Sequence, residues 1–252
     1  MVLPRTMVAA AGWQGQSIVV IMIIMESDDT PVGRVLTRRE IVALLGLSGV
    51  ALLAGRAVAQ PGAAIPRCVV RPQQTEGPFF VDQKLDRSDI RRDPASGEAK
   101  PGAVLQVAFH VSSLSGSGCA PLAGARVDVW HCDALGAYSD GGSHKFLRGY
   151  QTTDAAGLAG FTTIYPGGYQ GRAVHIHFKI RTARRQEFTS QLYFDDTLTD
   201  RVHALEPYAR AGQRRLRNEG DGLFRSGGRQ LVLDVSASGQ GYAGAFDIAL
   251  ST

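Results

Sequence analysis

Residues 103–113 read AVLQVAFHVSS, and residues 125–131 read ARVDVWH. Apolar and polar side chains alternate along both segments, which is the pattern of a strand with one face in a core. Further strands bounded by turn residues are predicted at 158–164, 173–180, 188–194, 229–238 and 243–250. One helix is predicted within 195–217, where acidic residues come first and Pro207 ends the pattern. This succession of short strands with little helix predicts an all-β fold, an antiparallel β-sandwich with long glycine-rich loops.

The N-terminal region differs from the rest of the chain. Residues 37–59 carry a twin arginine at 38–39, then a short apolar stretch, then small residues. This order is typical of a cleaved export signal and resembles the bacterial twin-arginine signal. A membrane anchor or a buried helix is the weaker interpretation, because a span needs about 20 apolar residues.

A second apolar patch upstream favours translation from Met25. We therefore expect an export signal region at 1–59 and one domain at 60–252. The mature protein is expected to be periplasmic or secreted, with no stable membrane span once the signal is removed.

Charge and cysteine content narrow the function classes further. The formal net charge of +4 comes from scattered arginines without a nucleic-acid-binding motif, so no nucleic-acid partner is expected.

Three cysteines, Cys68, Cys119 and Cys132, follow the signal, and an oxidising compartment favours one disulfide with one free thiol. Cys119 and Cys132 flank a predicted strand that would hold them apart, so Cys68 is expected to pair with one of them. Which one it pairs with is open at this point.

Residues 171–180 read GRAVHIHFKI and place His175 and His177 two positions apart on a predicted strand. Side chains at positions i and i+2 share one face, so the imidazoles lie side by side about 7 Å apart along the strand. Such a pair is either a hydrogen-bonded core or surface pair or half of a metal site. Neither a neighbouring carboxylate nor a Cys-x-x-Cys motif accompanies it. The residues nearby are tyrosines: Tyr138, Tyr165 and Tyr169.

Phenolate oxygen is a hard, anionic ligand that suits a trivalent cation, and ferric iron is the abundant one. Tyrosine ligation of the haem iron of catalase is a precedent. The cation would have to lower the pKa of the phenol from about 10. Two phenolates and two neutral imidazoles would leave a ferric ion with a net charge of about +1 and an open position. If these side chains bind a metal, their types suit ferric iron; the residues alone leave the core or surface pair as the alternative.

Four ordered motifs resemble those of the intradiol ring-cleavage dioxygenases, the family of catechol and protocatechuate dioxygenases. They are TEGPFF at 75–80, PLAGARVDVWHCDALGAYSD at 121–140, FLRGYQTTDAAGLAGFTTIYPGGYQGRAVHIHFKI at 146–180 and TSQLYF at 189–194. The resemblance covers most of residues 68–195 and implies that 60–252 is a catalytic β-sandwich domain with non-haem Fe(III). The chain shows no long helical region ahead of the sandwich, so it looks more like the protocatechuate type or a compact exported branch. Either a monomer or a homo-oligomer is compatible with the sequence.

By position, the resemblance implies four metal ligands: Tyr138, Tyr169, His175 and His177. Tyr138 lies eight residues after Trp130, and Tyr169 ends a Pro-Gly-x-Tyr loop. Tyr165 precedes a proline at a predicted strand end, so it is assigned to packing, and Trp130 is assigned to the core. The other histidines have no supporting ligands near them and are not expected to bind metal: His110, His131, His144 and His203.

The resemblance also implies catalytic roles for Arg172, Gln191 and Tyr169. Arg172 would stabilise negative charge on the substrate ring, Gln191 would orient the substrate, and Tyr169 would leave the metal and accept a substrate proton. Thr75 and Phe79 are candidates for the pocket wall. Ala173 stands where relatives often carry proline, which is expected to loosen this loop without affecting a ligand.

The implied reaction is cleavage of a catechol-type ring between its two hydroxylated carbons with O2, giving a muconate-type diacid. The partners are therefore a small catechol-type molecule and O2. One alternative is a zinc metalloenzyme on the same sandwich, which would need a carboxylate or a third histidine as ligand. Another is an exported, non-catalytic module that binds phenolic compounds, which would be expected to have lost a ligand. Which catechol is the substrate cannot be inferred from the residues.

Overall fold

Nine strands lie within the part of the chain that the computed structural model describes, residues 68–116, 118–139, 142–169, 171–211 and 216–251. They are β1 (Val104–Ser115), β2 (Gly118–Pro121), β3 (Arg126–Trp130), β4 (Arg148–Thr152), β5 (Leu158–Ile164), β6 (His175–Arg181), β7 (Glu187–Tyr193), β8 (Asp234–Ser238) and β9 (Gly241–Ser251). The predicted export signal region at 1–59 and the boundary at residue 60 lie outside the described residues.

The strands form two sheets. One has four antiparallel strands in the order β4-β3-β6-β7, and the other has the order β2-β1-β9-β8 with β5 also paired to β1. The predicted all-β architecture is confirmed. One pair departs from the antiparallel expectation, because β1 and β9 run parallel, from Leu105 opposite Tyr242 to Leu114 opposite Ser251. The two strands are far apart in the chain, so local alternation carried no information about their relative direction.

Two strands escaped the sequence analysis. β2 has four residues and is largely exposed, so it shows no apolar alternation. β4 contains Gly149, and glycine inside a strand weakens the pattern. A Cβ atom at Gly149 would lie 2.8 Å from Cγ2 of Ile90, so the close approach of that chain segment explains the glycine. The strand predicted at 229–238 begins later, because Gly228–Leu231 forms a 3-10 turn.

Among the described residues, helix occurs only in short segments between β7 and β8. They are α1 (Asp196–His203), α2 (Gly222–Arg225) and 3-10 turns at Tyr208–Ala211, Asn218–Gly220 and Gly228–Leu231. α1 confirms the predicted helix and ends before Pro207, with Asp195 as its N-cap. In the described ranges, no helix combines the length and the apolar character that crossing a bilayer requires.

The hydrophobic core lies between the two sheets. Phe109 of β1 is fully buried and contacts Phe178 of β6 and Phe246 of β9, with ring centroids 5.2 and 6.1 Å apart. Burying each such side chain stabilises the fold by roughly 1.5–3 kcal/mol. Six of the seven residues of β6 are buried. Its core face carries Phe178, so His175 and His177 point the other way, where loops cover them.

The structure resolves the disulfide that the sequence left open. Cys68 is bonded to Cys119, and Cys132 is a buried free thiol. The bond joins the start of the described chain to β2 at the edge of the five-stranded sheet.

Candidate metal centre

The two histidines of β6 converge on one small volume. Their Nε2 atoms lie 3.0 Å apart, with ring planes 80° to one another, and each residue is 2% exposed. The side chains lean together from neighbouring same-face positions on the strand, as the spacing predicts. Buried nitrogens this close need a shared proton or a shared cation.

Hydrogen bonding defines the tautomer of His175. Its Nδ1 lies 2.6 Å from the carbonyl oxygen of Ala173, so Nδ1 carries the proton and donates it, and Nε2 keeps its lone pair. Burial, aided by the charge of Arg172, lowers the pKa of His175 to about 4. Burial, with the neighbouring imidazole of His175, lowers the pKa of His177 well below its usual value. Both rings are therefore neutral near pH 7, which is the form that binds metal.

The ring of His177 is held between two chain segments. Trp130 lies opposite His177 in the pairing of β3 with β6, and the two rings stack with centroids 5.1 Å apart and planes 7° from parallel. On the other chain segment, a Cβ atom at Gly77 would lie 3.1 Å from Cε1 of His177. Trp130 is buried, as expected of a core residue, and it also orients a candidate ligand.

The loop after β3 delivers Tyr138. Its hydroxyl oxygen lies 3.3 Å from Nε2 of His175. The loop is shaped by Asp133, whose carboxylate accepts hydrogen bonds from the backbone N–H groups of Leu135 and Ala137, both at 3.0 Å. Lys100 forms an ion pair with the same carboxylate at 3.1 Å. Asp133 is a functional residue that the sequence analysis missed.

Burial raises the pKa of Tyr138 well above its ordinary value. The side chain is therefore a neutral phenol unless a cation lies beside its oxygen, since only a nearby positive charge favours the phenolate. A cation bound at this oxygen would lower the pKa and displace the proton.

The loop that ends in Tyr169 packs directly against the Tyr138 loop. The N–H of Gly167 donates to the carbonyl oxygen of Asp133 at 3.1 Å. A Cβ atom at Gly167 would lie 2.5 Å from that oxygen, so only glycine allows this approach. The rings of Tyr138 and Tyr169 meet edge to face, with centroids 5.5 Å apart. The two predicted tyrosines and the two predicted histidines are thus neighbours in space.

Phe79 covers the tyrosines. Its ring stacks on Tyr138 with centroids 4.1 Å apart and meets Tyr169 edge to face at 5.5 Å. The structure therefore places Phe79 at the wall of the site, as the sequence analysis expected. Thr75 contributes differently, since its backbone carbonyl accepts a hydrogen bond from Gln191 at 3.0 Å while the residue itself is exposed.

Arg172 and Gln191 are bonded to one another beside the histidines. Nη2 of Arg172 donates to Oε1 of Gln191 at 2.6 Å, and Gln191 is fully buried opposite His177 in the β6–β7 pairing. The Arg172 side chain is 17% exposed and forms an ion pair with Asp221 through Nε at 2.9 Å. The N–H of Ala173 donates to the same carboxylate oxygen, a hydrogen bond that proline at this position could not form.

Asp221 and Tyr193 complete this network and were also missed. The hydroxyl of Tyr193 donates to Oε1 of Gln74 at 2.9 Å and lies 3.3 Å from Nη2 of Arg172. The Asp221-Gly222 pair signals a turn or a helix cap in the sequence, but nothing local predicts its contact with Arg172.

Tyr165 and the remaining histidines make their contacts elsewhere. Tyr165 is fully buried, packs on Phe194 and shares a hydrogen bond with Thr199, which is the packing role that its position before proline predicted. The other histidines bond to neighbouring groups: His110 to Asp247, His131 to Thr163, His144 to Asp93 and His203 to the Pro166 carbonyl.

The donor set fits ferric iron. Nε2 of His177 faces Nε2 of His175, while Nδ1 of His177 is buried without a hydrogen-bond partner in the described part of the chain. Two imidazole nitrogens and the hydroxyl oxygen of Tyr138 surround the same volume, and the ring of Tyr169 lies beside them. Within the described ranges, no three His, Cys, Asp or Glu side chains converge as a zinc site requires.

Comparison with known proteins identifies the family. The family model Dioxygenase_C, described as "Dioxygenase", matches residues 75–250, and those residues include all four candidate metal ligands. The chain belongs to the intradiol ring-cleavage dioxygenase family. The matched range contains all four of the ordered sequence motifs.

Two curated relatives of this intradiol dioxygenase family member are bacterial enzymes. Catechol 1,2-dioxygenase 2 of Acinetobacter lwoffii is 32% identical over 146 residues, covering 49% of this chain and 51% of that protein. Chlorocatechol 1,2-dioxygenase of Pseudomonas putida is 33% identical over 143 residues, covering 48% of this chain and 52% of that protein. The chain therefore spans about half the length of the curated relatives it matches.

Solved structures of intradiol dioxygenases share the sandwich over most of their length. An intradiol ring-cleavage dioxygenase from Tetranychus urticae has a TM-score of 0.65 and 28% identity, with 73% of this chain and 95% of that chain covered. The dioxygenase domain of a dioxygenase carbohydrate-binding protein fusion from Streptomyces sp. SirexAA-E has a TM-score of 0.56 and 33% identity, with 73% and 99% covered.

Proposed function

We propose that this chain is a non-haem Fe(III) intradiol dioxygenase that cleaves a catechol-type ring between its hydroxylated carbons, using O2, to give a muconate-type diacid. The observation that carries the proposal is the convergence of Tyr138, His175 and His177 on one buried volume, with the ring of Tyr169 beside them. The names of the curated relatives, catechol and chlorocatechol 1,2-dioxygenases, support the substrate class.

Tyr138, Tyr169, His175 and His177 would hold the iron. When bound, ferric iron supplies Lewis acidity that favours the doubly deprotonated catechol and draws electron density from its ring. The histidines contribute as neutral donors and the tyrosines as anions. Both tyrosines are partly buried and lie on loops, so the assignment of Tyr169 as the ligand that would accept a hydroxyl proton at Oη follows from the resemblance.

Arg172 supplies a fixed positive charge beside the histidines. Its guanidinium is oriented by Gln191 and Asp221, so it requires little reorganisation when negative charge develops on the substrate. Gln191 is oriented in turn by the carbonyl of Thr75. Trp130 stacks on His177 and Phe79 stacks on Tyr138, so one face of each of these candidate ligands is shielded from water.

A visible absorption spectrum of the iron-loaded protein tests the proposal. We expect a broad tyrosinate-to-iron charge-transfer band that shifts when catechol is added without O2, and O2 uptake with ring cleavage when O2 is admitted. Tyr138→Phe should weaken the band and abolish turnover, because only the ligating oxygen is removed. Tyr165→Phe is the matched control, since it removes a buried hydroxyl bonded to Thr199 and should keep the band.

The alternatives predict other outcomes. A colourless protein with full metal content would contradict the ferric site and favour zinc. A coloured protein that binds catechol without consuming O2 would favour a phenolic-binding module. A panel of substituted catechols compared by kcat/KM would then define the substrate.

We also propose that the protein is exported through the signal at 37–59. The Cys68–Cys119 disulfide supports an oxidising compartment, where such bonds persist. Changing Arg38 and Arg39 together to lysine should retain the chain in the cytoplasm, as measured by cell fractionation. Unchanged fractionation of the double variant would contradict twin-arginine export.

A further inference from the structure

Asp221 connects the candidate arginine to the histidine strand. The residue is 2% exposed and forms the N-cap of α2, where Oδ1 accepts the N–H of Leu223 at 2.8 Å. Its other oxygen, Oδ2, accepts from Nε of Arg172 and from the N–H of Ala173, both at 2.9 Å. One carboxylate oxygen thus binds a side chain and the backbone of the next residue at the same time.

The second of these bonds leads to a candidate metal ligand. The peptide N–H of Ala173 is held by Asp221, and the carbonyl of Ala173 accepts Nδ1–H of His175 at 2.6 Å. That last bond keeps the proton on Nδ1 and turns Nε2 toward the site. The position of Asp221 is therefore transmitted to His175 through a single residue.

A helix cap alone does not require this arrangement. Asp195 caps α1 by accepting the N–H of Leu198 at 2.9 Å, and it does so as an exposed residue. Asp221 performs the same capping while buried, and burial of a carboxylate is unfavourable unless it is paired and hydrogen-bonded. Arg172 and the N–H of Ala173 supply that pairing, so the site and the buried carboxylate depend on one another.

We infer that Asp221 is a positioning residue that holds the guanidinium of Arg172 against Gln191 and, through the Ala173 peptide, orients His175. The inference rests on the proposed function. By this inference the N-terminus of α2, which follows the dioxygenase motifs in the chain, helps to orient the side chains of the site. Asp221 itself does not contact the substrate in this assignment.

The test compares Asp221→Asn with Asp195→Asn in the iron-loaded protein. Both changes remove one charge from a helix N-cap, but only Asp221→Asn disturbs Arg172 and Ala173. We expect Asp221→Asn to lower kcat by about 10–100-fold with little change in KM, because misplacing a catalytic group costs up to about 100-fold. Asp221→Asn should also shift the charge-transfer band, while Asp195→Asn should change neither kcat nor the band. Thermal unfolding of the two variants measures how much stability each loses with its helix cap.

A second readout needs no iron and no turnover. In the metal-free protein, the Nε–H of Arg172 should give a slowly exchanging NMR signal, assigned by its loss in Arg172→Lys. Asp221→Asn should speed its exchange at least about tenfold, because the charged acceptor becomes a neutral amide with one acceptor oxygen fewer. If Asp221→Asn does not fold, protection of this proton in the wild-type protein is still measurable, and fast exchange there would overturn the inference.

The outcomes separate this inference from the proposed function. A wild-type protein without a charge-transfer band or ring cleavage contradicts the proposed function, and the NMR comparison then decides the positioning role alone. An active wild-type protein whose Asp221→Asn variant keeps kcat, band and exchange rate contradicts the positioning role. Equal losses in Asp221→Asn and Asp195→Asn, in proportion to stability, would also overturn it.

Discussion

Replacing Gly167 by alanine places a methyl group where two loops meet. The new Cβ atom would lie 2.5 Å from the carbonyl oxygens of Asp133 and Ala134, and both are backbone atoms that cannot rotate away. Overpacking of this kind costs about 1–3 kcal/mol. Separation of the loops also breaks the hydrogen bond from Gly167 to Asp133, which contributes about 1 kcal/mol. The free energy of unfolding should therefore fall by about 2–4 kcal/mol.

The functional effect should exceed the effect on stability. The loops carry Tyr138 and Tyr169, so a shift of either one separates the candidate ligands. For a domain of this size, the loss of about 2–4 kcal/mol in the free energy of unfolding corresponds to a decrease in Tm of about 4–16 °C. Thermal unfolding followed by circular dichroism measures it, and iron content with the visible band reports on the site. Well below Tm, the folded variant should bind iron weakly.

Gly160 offers the matched control. It lies in β5, and a Cβ atom there meets nothing within 4 Å, so Gly160→Ala should leave Tm unchanged or raise it slightly. If Gly167→Ala has the stability and iron content of Gly160→Ala, the close approach of the loops does not constrain the site and this reasoning is wrong.

Two further predictions concern stability. Cys68→Ser should lower the free energy of unfolding by about 2–5 kcal/mol, because the bond to Cys119 no longer constrains the unfolded chain; a reductant should lower Tm in the wild type but not in the variant, and equal responses would contradict this. Burial lowers the pKa of His131 to about 4, below its value of about 6.5 in the unfolded chain, so its stabilising effect is complete above pH 6.5 and is lost as the pH falls toward 4. In denaturant titrations of the metal-free protein, His131→Gln should therefore reduce the slope of the unfolding free energy against pH in this range, by at most about 1.4 kcal/mol per pH unit. An unchanged slope would argue that His131 is not protected from protonation.

The sequence predicted those features that local spacing encodes. Residues two apart on a strand share a face, so the spacing of His175 and His177 was enough to place them together. Alternation along 103–113 likewise predicted β1. The tyrosine ligands were different, because no rule of spacing links Tyr138 to a histidine 37 residues later, and the resemblance to a family supplied that connection.

The features of the site that the sequence did not predict depend on contacts between distant segments of the chain. Asp133 and Asp221 act through backbone N–H groups and charges that meet only in the folded chain. Trp130 was assigned to the core from its position alone, and its stacking on His177 follows from strand register, which single strands do not reveal. The hydrogen bond from Ala173 to Asp221 was not predicted for the same reason, since its acceptor lies on another element.

The parallel pairing of β1 with β9 has a consequence for the order of events during synthesis. β1 (Val104–Ser115) is central in its sheet, yet one of its edges stays unpaired until Gly241–Ser251 has left the ribosome. Such non-local pairing makes folding slow and leaves a strand edge open to association with other chains. The four-stranded sheet with the histidines can pair earlier, because all its strands lie within residues 126–193. The nascent chain would thus hold most of a metal-binding face before its core is closed.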